Sequence, residues 1–401
     1  MSKMLIDDLD LKGKRVLVRV DFNVPLDEQG RVTDDRRIRS ALPTIRKILD
    51  EDGSPILMSH LGRPKGRVRP EMSLEPAARE LEKLLGKPVT MADNCVGENV
   101  QQLVAELPAG GTILLENLRF HPQETDNDPD FSRLLASLGE IYVNDAFGTA
   151  HRAHASTVGV TRYLQPAAAG YLMYKELDML GRALADPPRP YVAILGGAKI
   201  SGKIEVIESL IERVDALLIG GGMAFTFLKA RGQEVGRSLV EEDKVTLAGA
   251  ILQKAFDRDV ELLLPADCRV TGAVEKNADS RIVSIDRIPA DLIGADIGPE
   301  TSRRFAEKIE AARTVVWNGP MGVFEIEDFA AGTYRIAEAL GKATDAGGLT
   351  IVGGGDSAAA MARGGFEDRV GHISTGGGAS LEFLAGKSLP GVEALTERSA
   401  S

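Results

Sequence analysis

The chain has 401 residues, 43% of them hydrophobic and 27% charged, which is the composition of a soluble globular protein and a length that predicts two domains. Its net charge of −11 argues against general attraction to nucleic acid or to an anionic membrane. No apolar run approaches the roughly 18 residues of a membrane span, and the opening residues show no signal-peptide core. The widely separated Cys95 and Cys268 fit a reducing cytosol rather than a disulfide framework or zinc site, and five histidines are too few for a multi-histidine metal centre.

Apolar β-type runs alternate with helical patterns along the chain. Strands are predicted over 16–20, 56–58, 112–115 and 141–143, then over 192–195, 216–219, 261–264, 314–317 and 349–352. Amphipathic stretches at 40–49, 75–85, 204–214 and 302–312 predict helices between them. Such alternation implies βαβ units, and so an α/β protein of two doubly wound, Rossmann-like parallel-sheet domains that bind ligands at the carboxyl ends of their strands. Residues 171–184 are good helix formers, with Leu172, Met173, Leu177 and Leu180 at helical spacing, and Asp186-Pro187-Pro188-Arg189-Pro190 stops the pattern. A hinge helix is therefore expected over 171–186, between domains 1–170 and 187–388; a crossover helix inside one large domain is the alternative.

In the first half, cations and polar groups follow the strands. Val16 to Val20 leads to Asp21 and Asn23, Ile56 to Met58 leads to His60 and Arg63, and Leu114-Leu115 leads to Arg119. The run Tyr142-Val143-Asn144-Asp145 leads to His151-Arg152-Ala153-His154, and Arg37 opens the next helical pattern. Taken singly, each Arg reads as a solvated surface charge. Their shared position after apolar strands gathers guanidinium forks on one rim, an arrangement suited to a phosphate plus a carboxylate. His151 and His154 fit an anion-binding or a structural role equally.

The second half is rich in glycine turns. Val192 to Leu195 leads to Gly196-Gly197-Ala198-Lys199, and Lys203 follows four residues later, so the two lysines are expected on one face of a helix start. Other turns are Gly220-Gly221-Gly222, Asn318-Gly319-Pro320 with Glu325, and Gly376-Gly377-Gly378, the last better read, taken alone, as a plain tight turn. Trp317 and Phe324 read as core. Leu349 to Val352 runs into Gly353-Gly354-Gly355-Asp356-Ser357 and a helix over 357–363, a strand–turn–helix corner whose N–H groups suit phosphate and whose Asp356 suits Mg²⁺. An N-capping role for Asp356 is the plainer alternative. No GxxxxGK[ST], GxGxxG or GxSxG motif occurs.

Arginines for a small anion in one half and a nucleotide-type corner in the other point to phosphoryl transfer, which needs positioning and charge neutralisation more than covalent chemistry. A dehydrogenase would want the missing dinucleotide fingerprint, and a sugar kinase a carboxylate base for a hydroxyl. A nucleotide-binding scaffold without turnover is a further alternative. Over nearly its whole length the chain resembles the phosphoglycerate kinase family. The resemblance rests on Arg19-Val20-Asp21-Phe22-Asn23-Val24-Pro25, His60-Leu61-Gly62-Arg63-Pro64, Glu116-Asn117-Leu118-Arg119-Phe120 and Ala150-His151-Arg152-Ala153-His154. It also rests on Gly196 to Lys199 with Lys203, Trp317 to Pro320 with Glu325, and Gly353 to Ser357.

The resemblance implies reversible transfer from the acyl phosphate of 1,3-bisphosphoglycerate to Mg-ADP, giving ATP and 3-phosphoglycerate, on closure of the two domains. It implies that Asp21, Asn23, Arg37, His60, Arg63, Arg119 and Arg152 bind the glycerate substrate in domain 1–170. Lys203, Gly221, Gly222, Gly294, Asn318, Glu325, Gly353, Gly354, Gly355, Asp356 and Ser357 would hold ATP or ADP in domain 187–388, with Mg²⁺ on Asp356. Arg37, Lys199, Lys203, Gly354 and Gly377 would serve the transfer itself. The tail 389–401 is expected to fold back on the first domain, and the family implies a cytoplasmic monomer.

Overall fold

The computed structural model describes residues 3–398. It separates into two compact units: the chain up to Asp178 with the described residues from Ser388 onward, and Met179–Lys387.

The first unit is built on β1 (Arg15–Arg19), β2 (Ser54–Met58), β3 (Val89–Met91), β4 (Thr112–Leu114), β5 (Ile141–Asn144) and β6 (Ala167–Ala169). Their order is β3-β4-β2-β1-β5-β6 and each neighbouring pair is parallel. A parallel sheet covered on both faces needs continuous apolar strands. Val16, Val18, Leu57 and Val143 accordingly pack in one core with Ile38 and Ile45 of the helix Arg36–Asp50. That helix extends the predicted 40–49 pattern toward its N-terminus and keeps Pro43 on its exposed side. The strands β3 and β6 were not anticipated. The first is a short, partly exposed edge, and the second is three alanines, a residue without β preference, held by pairing with β5.

The described residues after Lys387 belong to this same unit. Gly391 donates its N–H to Ala150 O (2.8 Å), Thr396 to Ala167 O (2.8 Å), and Met4 to Thr396 O (2.8 Å). The expected boundaries at 1 and 401 fall on residues 1–2 and 399–401, which lie outside the described residues.

The second unit carries β7 (Tyr191–Leu195), β8 (Ala216–Ile219), β9 (Glu261–Leu263), β10 (Asp267–Thr271), β11 (Ser280–Ser284), β12 (Ile293–Ile297), β13 (Thr314–Asn318), β14 (Leu349–Gly353) and β15 (His372–Ile373). Six of them form a parallel sheet in the order β15-β14-β13-β7-β8-β9. Trp317 is fully buried at its centre with Val192, Ile194, Phe305 and Leu340, so it is core, as is the buried Phe324. The other three make an antiparallel sheet, β11-β10-β12, where only parallel sheets were expected. Half-solvated antiparallel strands alternate polar and apolar residues instead of running apolar, and Ser280-Arg281-Ile282-Val283-Ser284 lacks the buried-strand signature.

The helix Tyr171–Ala185 matches the predicted helical stretch and contains the change from one unit to the other. Its start is fixed by Asp145, whose Oδ1 accepts the N–H groups of Leu172 (2.9 Å) and Met173 (3.2 Å). Gly170 has no room for a side chain there: a Cβ would sit 2.3 Å from Asp145 Oδ1.

Burial pushes Asp145 up to about 6 despite these hydrogen bonds. The folded value thus exceeds the unfolded one, so its contribution to stability is complete below about pH 4 and is lost as pH rises through about 6. Asp145→Asn cannot ionise. Its stability relative to the parent chain is expected to improve by about 3 kcal/mol between acidic and neutral pH in denaturant unfolding, and a pH-independent difference would contradict the assignment.

Candidate functional site

In the first unit, β1, β2, β4 and β5 release their loops at the carboxyl edge of the sheet. Asp21 and Asn23 follow β1, His60 and Arg63 follow β2, Arg119 follows β4, and Arg152 follows β5. Hydrogen bonds tie these loops together. Asn23 Oδ1 accepts the Gly62 N–H (2.8 Å), and Arg119 Nη1 donates to the Gly62 carbonyl (2.9 Å). Arg37, in the first turn of its helix, donates to Asp21 Oδ2 (2.7 Å). The Arg63 side chain is exposed, one residue beyond this doubly held Gly62. Arg152 donates Nε–H to His151 Nε2 (3.0 Å), and His154 is buried, so neither histidine is a plain surface group.

The cluster is electrostatically loaded. Burial, then the charges of Arg19 and Arg152, push Arg119 down to about 10. Burial and the charges of Arg19, Arg119 and Arg37 hold His60 well below the ordinary histidine range, so its ring is neutral. A cationic group so disfavoured gains when an anion arrives.

The second unit holds a cavity of about 330 Å³ walled by Gly197, Gly221, Gly222, Gly294, Glu325 and Asp356 among others. Gly294 is required because a Cβ would meet the Phe225 ring at 2.0 Å. Beside this cavity the expected corner is formed by β14 and the helix Gly355–Gly364. Gly354 is its N-cap at φ +93°, so Asp356 lies in the first turn and is not the cap. Ser357 Oγ accepts the Gly319 N–H (2.6 Å). Lys203 Nζ donates to Asn318 O (2.9 Å) and Oδ1 (2.5 Å), and burial brings its ammonium down to about 8 despite the Asp356 charge.

The expected Lys199–Lys203 pairing on a helix face is not formed. The helix begins at Ile204 with Lys203 as N-cap, and the preceding glycine-containing segment is a bend and turn that leaves Lys199 exposed. Gly377 does not line the cavity; at φ +50° it opens the short helix Gly378–Leu384, and its carbonyl accepts from Ser380 Oγ (2.7 Å).

Asp356 is the carboxylate in the first turn of this corner. Among the described residues no group of three or more His, Cys, Asp or Glu side chains is arranged for a metal ion. One carboxylate beside a phosphate-type corner fits Mg²⁺, which takes one or two carboxylates and completes its shell with phosphate oxygens and water.

Some residues were not singled out in the sequence. Arg19 is fully buried and donates Nη2–H to His60 Nδ1 (3.1 Å); a charge in an apolar β run was the available signal. Asp296 lines the cavity and accepts from Ile297 N (2.9 Å) and Gly332 N (2.7 Å), and burial pushes it up to about 7. Cys95 and Cys268 are buried, and burial raises both thiols, which leaves no nucleophile there.

The family model described as phosphoglycerate kinase matches residues 6–387. The chain belongs to the phosphoglycerate kinase family. It is 60% identical over 397 residues to a phosphoglycerate kinase of Chlorobaculum tepidum, covering 99% of this chain and 100% of that protein. The corresponding protein of Chlorobium limicola is 59% identical over the same span and coverage. The phosphoglycerate kinase structure from Coxiella burnetii superposes with a TM-score of 0.87 at 41% identity, covering 98% of both chains. That from Pyrococcus horikoshii gives 0.85 at 33% identity and the same coverage. The two doubly wound sheets are thus the architecture of phosphoglycerate kinases, and no helix among the described residues is long and apolar enough to cross a membrane.

In the ligand-free chain the Lys203 ammonium is expected to lose its proton with a midpoint near 8, read by NMR of its Nζ. A midpoint at the value of a free lysine would contradict the burial of this group between Asn318 and the corner.

Proposed function

We propose that the arginine cluster of the first unit binds the glycerate substrate and that the glycine-walled cavity of the second binds the Mg-nucleotide. The reaction is that of the family: reversible phosphoryl transfer from 1,3-bisphosphoglycerate to Mg-ADP, giving ATP and 3-phosphoglycerate. The observation that carries this division is the contrast between the two sites, cationic forks in one and close-approach backbone with the carboxylates of Asp296, Glu325 and Asp356 in the other.

In the ATP-consuming direction the nucleophile is a substrate carboxylate. With a reference pKa of about 3.5–4 it is ionised at neutral pH and needs no general base. The groups nearest to one are engaged: His60 is neutral and hydrogen-bonded to Arg19, and the Asp21 carboxylate is paired with Arg37. In the reverse direction the leaving group is the same carboxylate and needs no acid. The task is therefore to hold two anions and offset charge on the transferring group.

Asp21, by pairing with Arg37, presents that guanidinium in a fixed direction. Asn23 orients the loop of His60 and Arg63 through the Gly62 N–H, and Arg119 clamps the carbonyl of the same residue. Arg119 and Arg152 supply further forks for phosphate and carboxylate. On the nucleotide side, Lys203 with Asn318 and the N–H groups around Gly353–Ser357 receive phosphate oxygens, Glu325 the ribose, and the Gly221, Gly222 and Gly294 walls the base. Mg²⁺ on Asp356 neutralises charge on the phosphates when bound. Lys199 and Gly377 join only as residues of loops near the transferring group. Hinge bending and closure, a monomeric state and a cytoplasmic location belong to the same proposal.

A coupled assay is expected to show turnover with Mg-ATP and 3-phosphoglycerate; turnover of another phosphorylated acid in its place would overturn the substrate. Arg37→Ala is expected to lower kcat by about two to three orders of magnitude with little change in KM for ATP. An unaltered kcat removes Arg37 from the transfer. Asp356→Ala is expected to weaken Mg-ATP binding in calorimetry by about tenfold or more, and intact affinity would exclude it as the metal carboxylate.

A further inference from the structure

Arg19 ends β1 inside the first unit, fully buried beneath the loops of the glycerate site. A guanidinium has donors and no acceptor. Each of its nitrogens meets one partner: Nε–H donates to Ser156 Oγ (2.9 Å), Nη1–H to the Val20 carbonyl, and Nη2–H to His60 Nδ1 (3.1 Å). Ser156 Oγ, having accepted from Arg19, turns its own hydrogen to Glu124 Oε1 (2.6 Å). Its backbone N–H donates to Glu124 Oε2 (3.0 Å), and its carbonyl accepts from Tyr142 OH (2.8 Å). Glu124 is completely buried. Burial pushes its pKa up, and the nearby His154, the Arg19 charge and the Ser156 hydroxyl outweigh that and bring it below the usual range. An anion thus closes one end of the chain of bonds and His60 closes the other.

The direction of every hydrogen along this chain is fixed. His60 Nδ1 faces a group that can only donate, so Nδ1 is bare and the neutral ring carries its hydrogen on Nε2. A hydrogen on Nδ1 would set two donors against each other in a buried place. Among the described residues, Nε2 has no protein hydrogen-bond partner. We propose that Arg19, Ser156 and Glu124 are positioning residues that lock His60 in its Nε2–H tautomer, so that it meets the glycerate substrate as an oriented neutral donor rather than as a cation. Arg19 then acts through His60 and needs no contact with substrate. This inference rests on the assignment of His60 to the glycerate site made above.

The test is ¹⁵N–¹H correlation of the histidine rings in the intact chain, with and without 3-phosphoglycerate. The expected result at neutral pH is a bare Nδ1 and a protonated Nε2 for His60, with the Nε2 signal moving when 3-phosphoglycerate is added. In Arg19→Met the two nitrogens should drift toward the exchange-averaged position of an unconstrained ring. Its KM for 3-phosphoglycerate should rise about fivefold, the cost of one misdirected hydrogen bond, while KM for ATP stays the same. Ser156→Ala keeps Arg19 and should loosen the tautomer in the same direction. A hydrogen on Nδ1 in the parent chain, which needs no variant to fold, would overturn the lock, and so would unchanged ring signals in Arg19→Met. A locked ring that ignores 3-phosphoglycerate would instead overturn the assignment of His60 to the substrate, leaving the lock without that purpose.

Discussion

A parallel β-strand sends the chain out at one edge of its sheet, and every strand beside it does the same. In the first unit this brings Asp21, Asn23, His60, Arg119 and Arg152 to one edge from positions spread over more than a hundred residues. Like charges collected this way repel, and burial makes the repulsion stronger. Burial first, and this repulsion after it, depress Arg119 and leave His60 neutral. Asp21 and the fully buried Glu124 are placed among the cations and offset part of that repulsion. What remains favours binding an anion with several oxygens.

The second unit uses the same topology with different contents. Its carboxyl edge carries glycine turns, so backbone takes the place of side chains at the walls of the cavity. The ionisable groups are few: Asp356, Glu325, the buried Asp296, and Lys203 held against Asn318. A nucleotide is large, flat at one end and charged at the other, which suits open backbone near the base and a helix start near the phosphates. On the proposed division the two sheets separate the two recognition problems, and neither requires a proton-transfer group, because the reacting carboxylate is already ionised.

Much of this was legible in the residues. Val16 to Val18, Ile56 to Met58 and Leu349 to Val352 are apolar enough to be read as buried parallel strands, and the polar groups after them mark the ligand edges. The antiparallel strands β10 to β12 were illegible because their alternation mixes Arg, Ser and Asp with short apolar steps. The strand β6 is three alanines whose conformation is decided by its neighbour. The pairing of Lys199 with Lys203 failed because spacing implies a shared face only inside a helix, and the glycines before Ile204 delay the helix. Arg19 was hidden for a different reason: a charged residue in a strand reads as an edge or an exception, and only three-dimensional partners show that it is buried and answered by Ser156 and His60.

The central claim is that each ligand class is recognised at the carboxyl edge of its own sheet. Backbone amide mapping by NMR, with 3-phosphoglycerate and Mg-ATP added in separate titrations, tests it most directly. The first ligand should shift amides after β1, β2, β4 and β5, and the second those after β7, β8, β13 and β14. Primary shifts from 3-phosphoglycerate around Gly221 or Gly354, with the arginine loops silent, would contradict it.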